Sequence, residues 1–284
     1  MQSVAELARC HTEGRVLPCS TYRKVPSQAS VASAWVDLSM AAGAPPAQYY
    51  ASNPLESAAL EARRGVHHGV DQAPGEKFLA NALALTPTAG LVGPYVMVDH
   101  LLYYPFLALD DADTQVMDNT LALPRYTDGD GVRMVLVTQA PTGGGETLTI
   151  TYVNQDGVER TTPTIQLNTT SVGIASVPYG IPAVNNNAGL FVPLAGGDTG
   201  VRSVVSATVL NPVGGLAAIV LVRPLHRFVV KEANTPTEIA AITEVAQLPR
   251  IEDGAHINYF MRCAATVAAG LLAIQHEFVF TTGD

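Results

Sequence analysis

The chain is short of charge, of lysine and of cysteine, and each shortage excludes something. Only 14% of its 284 residues are charged, against about a quarter in ordinary soluble domains, while 48% are apolar. That balance is too apolar for a disordered protein. No apolar run reaches the ~20 residues a membrane helix needs; the longest, Gly215 to Val222 and Ala264 to Ile274, stop well short. Met1 to Cys19 carries Glu6, Arg9, Glu13 and Arg15 without an apolar stretch, so no secretory leader is read there and a cytoplasm is the expected place of synthesis. Cys10, Cys19 and Cys263 are an odd set with neither CxxC spacing nor a zinc complement, and read as reduced, small apolar residues. Lys24, Lys77 and Lys231 are the only lysines, and Trp35 is the only tryptophan.

Charge is uneven as well as scarce. Residues 1–90 carry seven basic and seven acidic side chains, so the whole formal charge of −9 lies in residues 91–284. Phosphate backbones repel such a surface, which excludes nucleic acid as an expected partner. A surface this poor in charge is also expected to be partly covered by neighbouring subunits.

What the sequence does contain is an internal echo. Leu123-Pro124-Arg125-Tyr126-Thr127-Asp128-Gly129 returns as Leu248-Pro249-Arg250-Ile251-Glu252-Asp253-Gly254, 125 positions later. In each copy Pro fixes φ, Arg is placed to form an ion pair, and Asp-Gly makes a tight turn into the next strand. The flanks match modestly: Val96 to Tyr104 lines up with Leu221 to Val229, and Val132 to Leu136 with Ile257 to Met261. The repeat reads as a structural device, two equivalent corners of one sandwich, rather than a catalytic motif.

The expected fold is mainly β, a β-sandwich or jelly-roll-like body spanning residues 91–284, with residues 1–90 an extended N-terminal arm containing short helices. Leu55 to Arg64, entered from Asn53-Pro54 and ended by Gly65, has a helical pattern, and Glu76 to Leu85 is a weaker candidate. From Gly90 onward, strands are expected over Tyr95 to Phe106, Gly131 to Thr138, Glu146 to Val153, Thr161 to Leu167, Val201 to Leu210, Leu216 to Pro224 and His226 to Val230. Thr147, Thr149 and Thr151 alternate with Leu148, Ile150 and Tyr152, the period of a sheet with one buried face. Ile257 to Phe280 reads as two or three buried strands, with a helix from Cys263 to Ala269 as the other reading.

Few residues suggest chemistry. Asp110, Asp111 and Asp113 form an acidic run dense enough in oxygen for calcium, yet without the ligand spacing of an EF-hand; a solvated loop with Asx turns is the plainer reading. His67-His68 with Asp71, and His276-Glu277, have no second element such as HExxH to complete a metal set. No G-x-S-x-G exists, Ser171 and Ser203 have no motif bringing a His or Asp beside them, and no Gly-Lys-Ser/Thr follows Gly143-Gly144-Gly145. Asn168-Thr169-Thr170 matches a glycosylation sequon, which matters only in a secreted chain. Arg125 with Asp128, and Arg250 with Asp253, are expected to be corner salt bridges, with docking to an acidic partner as the alternative role. No catalytic residue and no cofactor is expected.

The runs Asp99 to Phe106, Met117 to Thr120, Leu123 to Gly129 and Pro249 to Gly254 resemble a group of tailed-bacteriophage virion proteins, over roughly residues 90–262. The resemblance implies a non-enzymatic particle component: a capsid decoration or cement protein acting as a homotrimer or other homo-oligomer on the major capsid protein, without nucleic acid or membrane. The implied location is the virion, after synthesis in the host cytoplasm. A tail, adaptor, fibre-base or shell component is the alternative, and a carbohydrate-binding sandwich is a third reading. That third reading requires carboxylates such as Asp128 and Asp130 to converge with aromatics, and Trp35 lies outside the strand-rich region.

Overall fold

The computed structural model describes residues 4–26, 34–167, 179–180, 189–240, 248–265 and 270–282. Ser171, the Asn168-Thr169-Thr170 sequon and residues 266–269 of the alternative C-terminal helix lie outside them. The mainly β sandwich expected from the sequence is observed, built from three antiparallel sheets around two principal cores.

The five-stranded sheet is the middle layer, in the order Trp35–Asp37, Ile257–Arg262, Gly93–Ala108, Leu216–Val230, Arg133–Thr138. Its long strands are buried on both faces, which is why they read as unbroken apolar runs. In the strand Leu216–Val230, Ala218, Val220 and Val222 enter one core while Ala217, Ile219 and Leu221 enter the other. Strand geometry sends successive side chains to opposite faces, so one run serves two cores. Pro224 is accommodated at an irregularity in the pairing with Gly93–Ala108.

A second sheet covers one face in the order Thr237–Ala240, Lys77–Leu85, Leu272–Phe280, Val16–Val25, Ala42–Ala44, with Arg250–Ile251 also pairing Lys77–Leu85. A third covers the other face and contains Thr147–Asn154 and Val201–Asn211. Thr147–Asn154 alternates strictly between half-buried and buried positions, as its sequence period requires. The helix Val4–Thr12 packs Cys10 against Phe78, Ala80 and Val279 on the second sheet. No described helix is long and apolar enough to cross a membrane.

Three expectations for residues 1–90 are corrected. There is no separate arm among the described residues: Val16–Val25 runs between Leu272–Phe280 and Ala42–Ala44, and Tyr22 is wholly buried. Segments from both sides of residue 90 share one sheet, so position 90 is not a packing boundary. Lys77–Leu85 is a strand rather than a helix, because pairing on both edges overrides the helical propensity of its Ala and Leu residues. Leu55 to Arg64 is mostly extended, with Leu55 and Ala58 bonded to the backbones of Pro105 and Tyr103, and only Ala62–Arg64 forms a 3-10 turn.

The echo has a three-dimensional counterpart. The aligned runs 96–104 and 221–229 are antiparallel neighbours in the middle sheet. Strand Ile257–Arg262 flanks the first and Arg133–Thr138 flanks the second, so each copy supplies an outer strand to the other copy's inner one. Pairs such as Val96↔Arg227 and Leu221↔Leu102 exchange when 125 is added to one residue and subtracted from its partner. The middle sheet is therefore an interleaved, pseudo-two-fold arrangement of the two copies.

Candidate functional site

The motif residues meet at Asp99. This carboxylate sits in the centre of Gly93–Ala108, opposite Arg223 on one neighbouring strand and Ile257 on the other, and is wholly buried. Arg125 reaches it from the first echo copy as a fork, Nε to Oδ2 and Nη2 to Oδ1, both at 2.7 Å. Nη2 also donates to the His100 carbonyl at 3.2 Å. The His256 amide, just past the second copy, donates to Asp99 Oδ1 at 2.8 Å. Planar bidentate geometry and a backbone amide together compensate a charge that burial alone would make very costly.

Arg125 is thus an ion-pairing corner residue as expected, but its partner is Asp99 and not Asp128. Asp128 is exposed and its Oδ1 accepts the Asp130 amide at 3.1 Å, an Asx turn leading into Gly129, whose φ is +75°. Arg250 is exposed and pairs with Glu76 at 2.7 Å and Glu252 at 3.1 Å, not with Asp253. Pseudo-symmetry explains the difference, because the position equivalent to Asp99 in the second copy is Pro224. Asp253 instead accepts Lys77 Nζ at 3.1 Å and the Gln72 amide. Burial raises its carboxyl pKa, but the Lys77 and Gln72 bonds outweigh that and hold it below the ordinary value.

A second polar knot lies beside Asp99. His100 Nε2 lies 3.2 Å from Tyr50 Oη, and Tyr50 donates to Asp37 Oδ2. The Ser39 amide donates to Asp37 Oδ1 at 2.7 Å. Burial acts to raise the Asp37 pKa, but bonding and charge from His100, with Tyr50 and Ser39, leave it below its usual value. Asp37, Tyr50 and His100 are all at most 1% exposed. These groups are buried and bond one another, tying the segment Asp37 to Tyr50 to the middle sheet.

Asp110, Asp111 and Asp113 are exposed, and Asp111 Oδ1 accepts the Asp113 amide at 2.9 Å. Among the described residues no three His, Cys, Asp or Glu side chains converge as a metal site. Asp37, Tyr50 and Lys77 carry no sequence signal, since none belongs to a recognisable motif. Asp99-His100 does carry one: a charged and a titratable residue inside an otherwise apolar strand must be paired.

No family model and no curated protein matches this chain. Among solved structures it is similar to the infectious bursal disease virus VP2 subviral particle, at 9% identity and a TM-score of 0.16, covering 94% of this chain and 82% of that one. The structure of the Gx strain of the same virus gives 8% identity and a TM-score of 0.17, covering 93% and 81%. TM-scores this low do not establish a common fold.

Proposed function

We propose that the chain is a non-enzymatic structural component of a virion, and specifically a decoration or cement protein of a tailed-phage head that binds the major capsid protein as a homo-oligomer. The observation that carries the reading is the convergence of the phage-like runs. Asp99 and His100, Arg125, and the His256 amide at the end of the turn from Asp253 come from three of those runs or their immediate flank, and they meet in one buried clamp on the middle sheet. Residues shared for catalysis would have to reach a substrate, whereas these tie a loop and two strands of the middle sheet together and preserve the shape of a body. Such a body acts by burying surface across repeated symmetric contacts.

The test uses the full chain. Light scattering after size exclusion should give a closed homo-oligomer, and the purified protein should co-sediment with preformed heads lacking it and raise their melting temperature. Co-sedimentation with purified tails but not heads would replace this reading with the tail or adaptor one. Binding to neither particle would remove the virion reading.

A further inference from the structure

Residues 61–68 lie across 255–257 and are held there by two imidazoles, one from each side. His256 Nδ1 is 2.8 Å from the Glu61 carbonyl, and His68 Nε2 is 2.9 Å from the Ala255 carbonyl. Between them the Val66 amide donates to Ile257 O at 2.8 Å. The contact is close: a Cβ on Gly65 would stand 2.8 Å from Ile257 N. A carbonyl only accepts, so each bonded nitrogen carries its hydrogen and the other nitrogen of the neutral ring is a lone pair.

Neither ring has a place for a second proton. The free nitrogen of His68, Nδ1, faces Lys77 Nζ at 3.0 Å, and that ammonium is itself held by Asp253 at 3.1 Å with Asp71 at 3.8 Å. His67 and Asp99 are the other titratable groups acting on His68. His256 Nε2 is buried without a partner, and its ring stands edge-on to His100 at 5.4 Å. Arg125 and His100 oppose a charge on His256, whereas Asp37 favours one. Asp99 is bonded to the His256 backbone and to Arg125. Glu61, on the strap itself, pairs outward with Arg63 and Arg64.

We propose that residues 61–68 are an acid-released strap, which protonation of His68 and His256 detaches from 255–257 while the rest of the sandwich remains folded. The two rings act together, because each closes the same short contact from opposite partners. Burial, before any other cause, holds His68 below its ordinary value and pushes His256 down to about 3, so both stay neutral while the strap is closed. With the strap lifted, His68 leaves its burial and His256 loses part of its cover, so both take up protons more readily, which favours the open form as pH falls. The Ser20 hydroxyl bond to His67 O does not titrate and tethers the C-terminal end. Opening uncovers Ala255 and Ile257, now 1% and 0% exposed, and frees Val66 from the core.

The experiment is amide hydrogen exchange on the full chain from pH 7 to pH 4.5, expressed as protection factors, with the Leu272–Phe280 amides as internal reference. The Val66 amide should lose at least about tenfold in protection over that range, each pKa unit being worth a factor of ten, while staying less protected than the reference strand, as an opening short of global unfolding requires. His68→Gln with His256→Asn keeps a donor for each carbonyl without a titrating ring, and should leave the Val66 protection nearly unchanged over the same range. A loss in that variant as large as in the wild type overturns the proposal. Should the variant not fold, the wild-type protein still decides: Val66 protection equal to that of the reference strand at every pH overturns it as well.

Discussion

Arg125 and Asp99 form a two-bond fork, with the carboxylate wholly buried and the guanidinium side chain 15% exposed. The pair joins the loop of the first echo copy to the central strand and, through the His256 amide, to the end of the second copy. Removing one partner of such a pair leaves the other as an unpaired buried charge. Arg125→Ala should therefore destabilise the protein by about 3–5 kcal/mol, and Arg125→Lys by less, since a point charge cannot reproduce the fork. Urea unfolding monitored by circular dichroism measures both. A loss below about 1 kcal/mol for Arg125→Ala would show that the pair does not hold the loop to the central strand.

Arg250 supplies the contrast within the same protein. Its side chain is 52% exposed and its partners Glu76 and Glu252 are 38% and 30% exposed. Arg250→Ala should change stability by at most about 1 kcal/mol. If shell binding falls in that variant while melting is unchanged, Arg250 belongs to an interface.

Deleting residues 1–50 should prevent folding rather than release a folded body. The deletion removes the strand Val16–Val25, the middle-sheet edge Trp35–Asp37 and the buried side chains of Tyr22, Leu38 and Tyr50. Losing three large buried side chains, at about 2–5 kcal/mol each, is already comparable with the roughly 5–15 kcal/mol by which domains are ordinarily stable, and the lost strand adds to it. Circular dichroism and size exclusion on the truncated chain check this. A monodisperse, cooperatively melting product would contradict it.

Acid should weaken the sandwich through His276. Burial pushes its pKa down to about 4, while Nδ1 donates to Ser20 O and Nε2 accepts from Tyr259 Oη. In the unfolded chain the ring titrates near 6.5, so its contribution is whole above that pH and is lost as pH falls toward 4. The unfolded state binds the proton first, and the loss amounts to about 3 kcal/mol in all. Urea midpoints between pH 7 and pH 4 report it. His276→Asn, which preserves the donor to Ser20, should flatten the slope, and an unchanged slope would assign the acid sensitivity to other groups.

The sequence alone determined the long strands of residues 91–284, though not the short Gln115–Val116, Thr237–Ala240 and Arg250–Ile251, and the reading of the echo as architecture. Thr147–Asn154 could be read because alternation is a local property of the chain, and Gly129 and Gly254 because Asp-Gly turns are too. Asp99-His100 carried a signal that the sequence reading passed over, a charged and a titratable residue in an apolar strand, though it would not have named their partners. Those partners only the tertiary structure decided. Arg125 passes over Asp128, three residues away, for Asp99, because the exposed carboxylate is satisfied by water and its own turn while the buried one must be compensated. Lys77–Leu85 became a strand for a similar reason, its edges being completed by segments near the opposite end of the chain. Local propensity amounts to tenths of a kcal/mol per residue and yields to pairing and burial, and partners as far apart as Ser20 and His276, 256 positions, leave no periodic trace.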